Sequence, residues 1–173
     1  RPSWGLVSRH GLAQGSWSMD TVGPISRTVE DAALTLSAIA GHDPRDRYSW
    51  KGPVQDYLGT LGRGVEGMRV GVVKELLYSD VAEAEVRRAI EKALEVLKGL
   101  GATVEEVSIP LTAVGSGISA TLLAIESAAT NSRWIRERGD EYGHSLRIGI
   151  MAGSLAPASA YYKAQRVRSM VRQ

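Results

Sequence analysis

Apolar and polar positions follow two rhythms along this chain. Val29, Ala32, Leu36 and Ile39 keep helical spacing and predict a helix over about 28–40. Thr28 is placed to accept a backbone N–H as N-cap, Asp31 stands at N3, and Gly41 is a natural stop. Residues 68–73 are β-branched and alternating, and read as a strand. Val86, Ile90, Ala93, Leu97 and Leu100 then predict the buried stripe of a second helix, capped by Ser79 or Asp80 and ended by Gly101. Glu83, Arg87, Arg88, Glu91, Lys92 and Glu95 give that helix a wet face. Residues 103–109 read as a second strand, closed by Pro110. Strand, helix and strand in this order predict a βαβ unit, parallel and right-handed.

Further on, 112–138 is helical by pattern. Its first half, 118–129, is apolar nearly all round, with Glu126 alone among small residues. Arg133, Arg136, Glu137, Arg138, Asp140 and Glu141 read as a solvated helix end. Residues 142–157 read as a loop holding His144, and a last helix starts near Pro157. Residues 42–66 are polar, with Pro, Gly and both charge signs; they predict a surface excursion with at most one short helix near 54–61. The opening stretch, 1–31, is dense in Gly, Ser and Pro, yet it carries Trp4, Trp17 and Met19. A solvated tail is poor in such residues, so a packed irregular connection into the first helix is expected.

Composition narrows the chemistry. The chain has 173 residues, 43% of them hydrophobic, enough for one α/β domain with a sizeable core. It has no Cys, which excludes disulfides, thiolate metal sites and Cys nucleophiles, and fits a cytoplasmic protein. No uninterrupted apolar run approaches the roughly 20 residues of a membrane span, and no signal-peptide pattern opens the chain. No membrane partner is expected. The formal charge of +2 is too small to argue for nucleic acid, and Arg133, Arg136, Lys163, Arg166 and Arg172 lack interleaved aromatics. Opening on Arg1 is consistent with a chain that started elsewhere.

Several groups invite a chemical reading. Gly62, Gly64 and Gly67 have dinucleotide-fingerprint spacing, but they precede a strand instead of following one into a helix, so a turn is expected. His42, Asp43 and Asp46 could ligate a metal, but acidic turns after helices are ordinarily solvated; neither metal nor cofactor is expected. Burial would raise the Glu126 pKa and suit it to acid–base work. The alternative is a structural hydrogen-bonding role, shared with Asn131. On the last helix, seven residues are almost two turns, so Arg168 lies under Tyr161 and beside Ala164, while Arg166 falls on the opposite side. An inward guanidinium needs a carboxylate, from the protein or from a ligand.

The segments Arg1-Pro2-Ser3-Trp4-Gly5-Leu6-Val7-Ser8-Arg9-His10-Gly11 and Met19-Asp20-Thr21-Val22-Gly23-Pro24-Ile25-Ser26-Arg27-Thr28-Val29-Glu30-Asp31 resemble the K-P-T-Y-G-x-V-S-R-Y-G and L-D-x-x-G-P-I-x-R-T-V-E-D segments of the amidase signature family. Lys74-Glu75, the run from Glu126 to Asn131, Tyr142-Gly143 and the run from Tyr161 to Arg168 resemble later family motifs. The resemblance implies an α/β fold: part of the amidase-type mixed β-sheet sandwiched by helices, including the βαβ unit. It implies hydrolysis of carboxamide C–N bonds by a Ser-Ser-Lys mechanism. The family's lysine and paired serines lie upstream of the matched segment, so no catalytic residue is expected here and the chain alone is expected to be inactive. Arg168 matches an arginine that contacts the polar end of the substrate in amidotransferase members, which makes it the substrate-binding candidate. Those members, the A subunits of glutamyl-tRNA amidotransferase, usually carry a tyrosine pair where Ser119 and Ala120 stand here, and this favours a general amidase. The expected partners are a small amide and, for a piece cut from a larger sheet, a complementing fragment or a second copy. A non-catalytic assembly domain is the alternative from another class.

Overall fold

The computed structural model describes residues 1–171, so Arg172 lies outside the described residues. The chain divides into two compact units, one formed by Arg1–Leu61 with Ala120–Ala164, the other by Gly62–Ser119 with the stretch from Gln165. It is an α/β chain, as expected; among the described residues the sheet consists of two parallel strands.

In the first unit, helix α1 spans Val29–Ile39 and is capped as its sequence dictates: Thr28 accepts the Asp31 amide through its hydroxyl at 3.0 Å. Gly41, at φ 126°, turns the chain away, and its amide bonds the Leu6 carbonyl at 2.9 Å. Val7 bridges Ala40, which docks the opening stretch on the end of α1. That stretch is packed, but its tryptophans are not the buried anchors: Trp4 and Trp17 are 40% and 45% exposed, whereas Val7, Arg9 and Ser16 are buried. Trp4 instead lies over the Arg9 guanidinium, 4.5 Å from its ring centroid, and against Tyr48. No helix forms over 54–61. The Asp56 carboxylate takes the Gly59 amide at 2.8 Å, a local bond that competes with a helical ladder.

Helix α4 (Gly115–Thr130), the single turn α5 (Trp134–Glu137), α6 (His144–Ser154) and α7 (Ala158–Val171) follow in order after the second unit's elements. Helix α6 replaces the predicted loop, and His144 is its first residue. Gly149 and Gly153 weaken its helical signal in the sequence. Gly153 is buried where α6 crosses α4: a Cβ there would stand 2.0 Å from the Ala124 carbonyl oxygen. With Leu122, Ala128, Ile150 and Ala164 it forms the core of this unit.

In the second unit, β1 (Arg69–Val73) pairs in parallel with β2 (Thr103–Val107), Arg69 opposite Thr103 and Val73 opposite Val107. Gly62, Gly64 and Gly67 all take positive φ before β1, as turn glycines. A short helix, α2 (Lys74–Leu77), intervenes before α3 (Ala84–Gly99). Glu75 anchors it by accepting the Ser108 hydroxyl and the Ile109 amide. Ser79 closes α2 by bonding the Leu76 carbonyl, so it does not cap α3, whose N-cap is Glu83. Gly101, at φ 91°, ends α3 as expected.

The α3 stripe is not buried. Val86, Ile90 and Leu100 are 50%, 42% and 60% exposed, and Arg87, Leu94 and Leu97 are the half-buried positions. An apolar groove of about 370 Å³ runs beside them, lined by Val72, Leu76, Val86, Ile90 and Leu94 among others.

Pro110–Thr130, a 3-10 turn running into α4, is long and apolar enough to cross a membrane by length and composition, a test that soluble core helices also pass. It carries a buried carboxylate near its end.

Two glycines of α6 separate packing from propensity. Gly153→Val is expected to destabilise the protein by about 1–3 kcal/mol through overpacking against α4. Gly149→Ala, with open space around it, is expected to stabilise it by roughly 0.5–1 kcal/mol. Denaturant midpoints of the two variants check both signs.

Candidate functional site

The densest polar constellation sits where α4 brings Glu126 into the core of the first unit. Glu126 is 2% exposed. Its Oε2 accepts the Ser16 hydroxyl at 2.5 Å and the Ser18 amide at 3.1 Å; its Oε1 accepts the Ser18 hydroxyl at 2.7 Å and the Tyr161 hydroxyl at 3.1 Å. All four donors are neutral. The serine loop is braced from its other side by Asp20, whose carboxylate accepts the Gly15 and Ser16 amides at 2.8 and 2.9 Å. Arg9 reaches into the same loop and donates to the Trp17 carbonyl at 2.6 Å.

Burial pushes the Glu126 carboxyl up, but the Ser16, Ser18 and Tyr161 hydrogen bonds outweigh it, and the pKa lies below the ordinary carboxylate value. This is opposite to the raised pKa that burial alone predicts. Glu126 is therefore an anion at neutral pH, saturated with donors, and a poor proton acceptor. One turn on, Asn131 donates to the Ser127 carbonyl and accepts the Tyr142 hydroxyl, both at 2.9 Å. Glu126 and Asn131 thus hold hydrogen bonds between segments.

The acidic turn after α1 is closed in a similar way. Asp43 accepts the Ser8 hydroxyl at 2.8 Å and the Arg45 guanidinium at 3.0 Å, and the Arg45 bonds hold its carboxyl well below the usual range. Asp46 accepts the Arg9 and Tyr48 amides at 2.8 and 3.0 Å and lies 3.7 Å from the Arg9 guanidinium. The Arg9 amide lowers its pKa against the opposing effect of burial. His42 Nδ1 stands 3.0 Å from the Ser49 hydroxyl. That hydroxyl is buried and also bonds the Asp43 and Asp46 carbonyls, so the pair braces a turn and exposes no nucleophile. No three His, Cys, Asp or Glu side chains converge as a metal site among the described residues.

Arg168 is half-buried on α7 and Arg166 is exposed, as helical spacing predicts. Of the hydroxyls in the opening stretch, Ser8 serves Asp43, Ser16 and Ser18 serve Glu126, and Ser26 bonds the Thr28 carbonyl. The first lysine of the chain is Lys51. Sequence reasoning singled out Glu126 but missed Ser16, Ser18 and Tyr161 as its partners. The signal was indirect: a carboxylate on an apolar helix requires donors from elsewhere.

The family model described as Amidase matches residues 1–173. The A subunit of the glutamyl-tRNA(Gln) amidotransferase of Synechococcus elongatus is 36% identical over 197 aligned positions, which cover 100% of this chain and 40% of that protein. The chain thus spans about 40% of the length of the curated relatives it matches. Among solved structures, a vestigial protein complex described as revealing the origins of an s-triazine catabolic enzyme superposes with a TM-score of 0.88 at 29% identity, covering 99% of this chain and 36% of that one. The corresponding A subunit of the Thermotoga maritima glutamyl-tRNA(Gln) amidotransferase superposes with a TM-score of 0.74 at 35% identity, covering 99% and 37%.

The lowered Glu126 pKa fixes a pH dependence. Its ionised form stabilises the fold fully above the ordinary value of 4.5, and that contribution is lost as pH falls through the native pKa. Glu126→Gln places an amide donor among donors and is expected to cost about 1–3 kcal/mol at pH 7. The gap between wild type and variant should narrow below about pH 4.5 in denaturant titrations.

Proposed function

This chain belongs to the amidase family, and on that premise we propose that it supplies the substrate-recognising, non-nucleophilic part of an enzyme that hydrolyses carboxamide C–N bonds. The observation that carries the reading is the match of the family model along residues 1–173, joined to relatives about two and a half times as long. In the family chemistry, an activated serine attacks the amide carbon, a lysine-paired serine relays the proton, and the amine leaves. Backbone amides hold the oxyanion. No group in this chain is assigned to those steps: Ser8, Ser16, Ser18 and Ser26 of the opening stretch donate their hydroxyls to other groups, and no lysine of the chain precedes Lys51. Arg168 is the residue assigned to substrate: its guanidinium would hold the polar end of a small amide by charge-assisted hydrogen bonds.

A second reading, the A subunit of a glutamyl-tRNA(Gln) amidotransferase, is favoured by the names of the curated relatives. Ser119 and Ala120, standing where that branch usually has tyrosines, favour a general amidase instead. Glutamine against a simple aliphatic amide as substrate separates the two. A cytoplasmic setting goes with either reading.

The apolar groove along α3 and the two-stranded sheet support association, with a complementing fragment or a second copy, as part of the same proposal. Sedimentation of the isolated 173-residue chain is expected to show self-association, with ANS binding; a compact monomer silent to ANS contradicts this.

The purified chain, of mass 18.6 kDa, is expected to turn over no simple amide, and detectable hydrolysis by it would refute the assignment. In an amidase containing this chain, Arg168→Ala is expected to raise KM by about 10- to 100-fold, the loss of one charge-assisted hydrogen bond.

A further inference from the structure

Arg87 stands half-buried on α3 with its guanidinium short of acceptors. Among the described residues that guanidinium makes one hydrogen bond, from Nη2 to the Ser79 carbonyl at 3.3 Å, a long one. Its Nε is buried and bonds nothing. Glu83 and Glu91 lie one turn to either side on the chain, yet none of the ion pairs among the described residues includes Arg87. The Tyr78 ring is centred 6.0 Å from its Cζ, at the outer limit of a cation–π contact, and the Tyr78 hydroxyl donates to Glu106. A guanidinium that has shed part of its hydration needs an anionic acceptor in exchange. Arg87 also lines the apolar groove of about 370 Å³ formed by residues of β1, α2 and α3. Every other lining residue is aliphatic or glycine, and all of them belong to the second unit. An apolar wall with one under-bonded cation suits an amphipathic anion, and the volume falls within the roughly 300–1,000 Å³ of small-molecule sites.

We propose that this groove binds a small carboxylic acid with an aliphatic tail, its carboxylate taken by Arg87 and its tail laid against Val86, Ile90 and Leu94. A carboxylate fits the guanidinium fork and brings a single charge to the apolar wall. A phosphate monoester would bring a second charge, at a greater desolvation cost. The inference stands on the second unit alone and is independent of the amidase chemistry.

The probe is octanoate, titrated by calorimetry into the 173-residue chain. Octanol carries the same tail without the charge, and propionate the same head with little tail. Octanoate is expected to bind saturably and about tenfold to a hundredfold more tightly than octanol, the effect of charge-assisted hydrogen bonds. Propionate is expected to bind at least about tenfold more weakly than octanoate, for want of apolar contact. Arg87→Met keeps an apolar stem and removes the charge; it should bring octanoate down to the affinity of octanol and leave octanol unchanged. Ile90→Glu, at a position 42% exposed and one turn from Arg87, offers the guanidinium an internal carboxylate and should abolish octanoate binding. Thermal melts establish that both variants fold. Octanoate affinity unchanged in Arg87→Met, or octanol binding as tightly as octanoate, would overturn the proposal. Absence of saturable octanoate binding to the wild type would overturn it too; if Arg87→Met then sediments as a smaller species than wild type, the carboxylate that meets Arg87 comes from a second copy.

Discussion

A carboxylate withdrawn from water costs several kcal/mol unless charge-assisted hydrogen bonds replace its hydration. Glu126 meets that condition with neutral donors only: two hydroxyls and an amide from one short loop, and a phenol from α7. Everything around it is arranged accordingly. Asp20 holds the Gly15 and Ser16 amides so that the loop presents its hydroxyls inward. Gly153 lets α6 approach α4 closely, completing the apolar wall of Leu122, Ala128 and Ile150. The opening stretch is irregular yet packed because its polar groups are committed to this carboxylate and to Asp43 and Asp46.

The same saturation explains why groups that look reactive are quiet. A serine beside a histidine, or a carboxylate on an apolar helix, is the raw material of catalysis. Here Ser49 is buried in a turn with its hydroxyl shared among carbonyls, and Glu126 is held below its ordinary pKa. A base for proton abstraction needs the reverse: a free lone pair and a raised pKa. The chain belongs to the amidase family and spans about 40% of the length of its curated relatives.

The second unit carries an opposite lesson. Its βαβ order, parallel pairing and terminating glycine were all legible, yet its helix stripe stays half in water. Periodicity reports which face of a helix is apolar; it cannot report whether anything covers that face. The short helix α2 was equally invisible, because four residues are too few to show a period and its anchor, the Glu75 carboxylate, bonds Ser108 and Ile109 more than thirty residues away.

By itself the sequence determined α1 with its Thr28 cap, the two strands, the stop at Gly101, the α/β class, the family, and the inward and outward senses of Arg168 and Arg166. These depend on spacing and capping within a turn or two of chain. Tertiary structure alone decided that α6 is helical despite its glycines, that Val7 and Arg9 are buried while Trp4 and Trp17 are half in water, and that Glu126 is an anion. Those outcomes depend on partners far off in sequence: Ser16 stands 110 residues from Glu126. Which donors reach a buried charge is fixed only when the chain has closed around it.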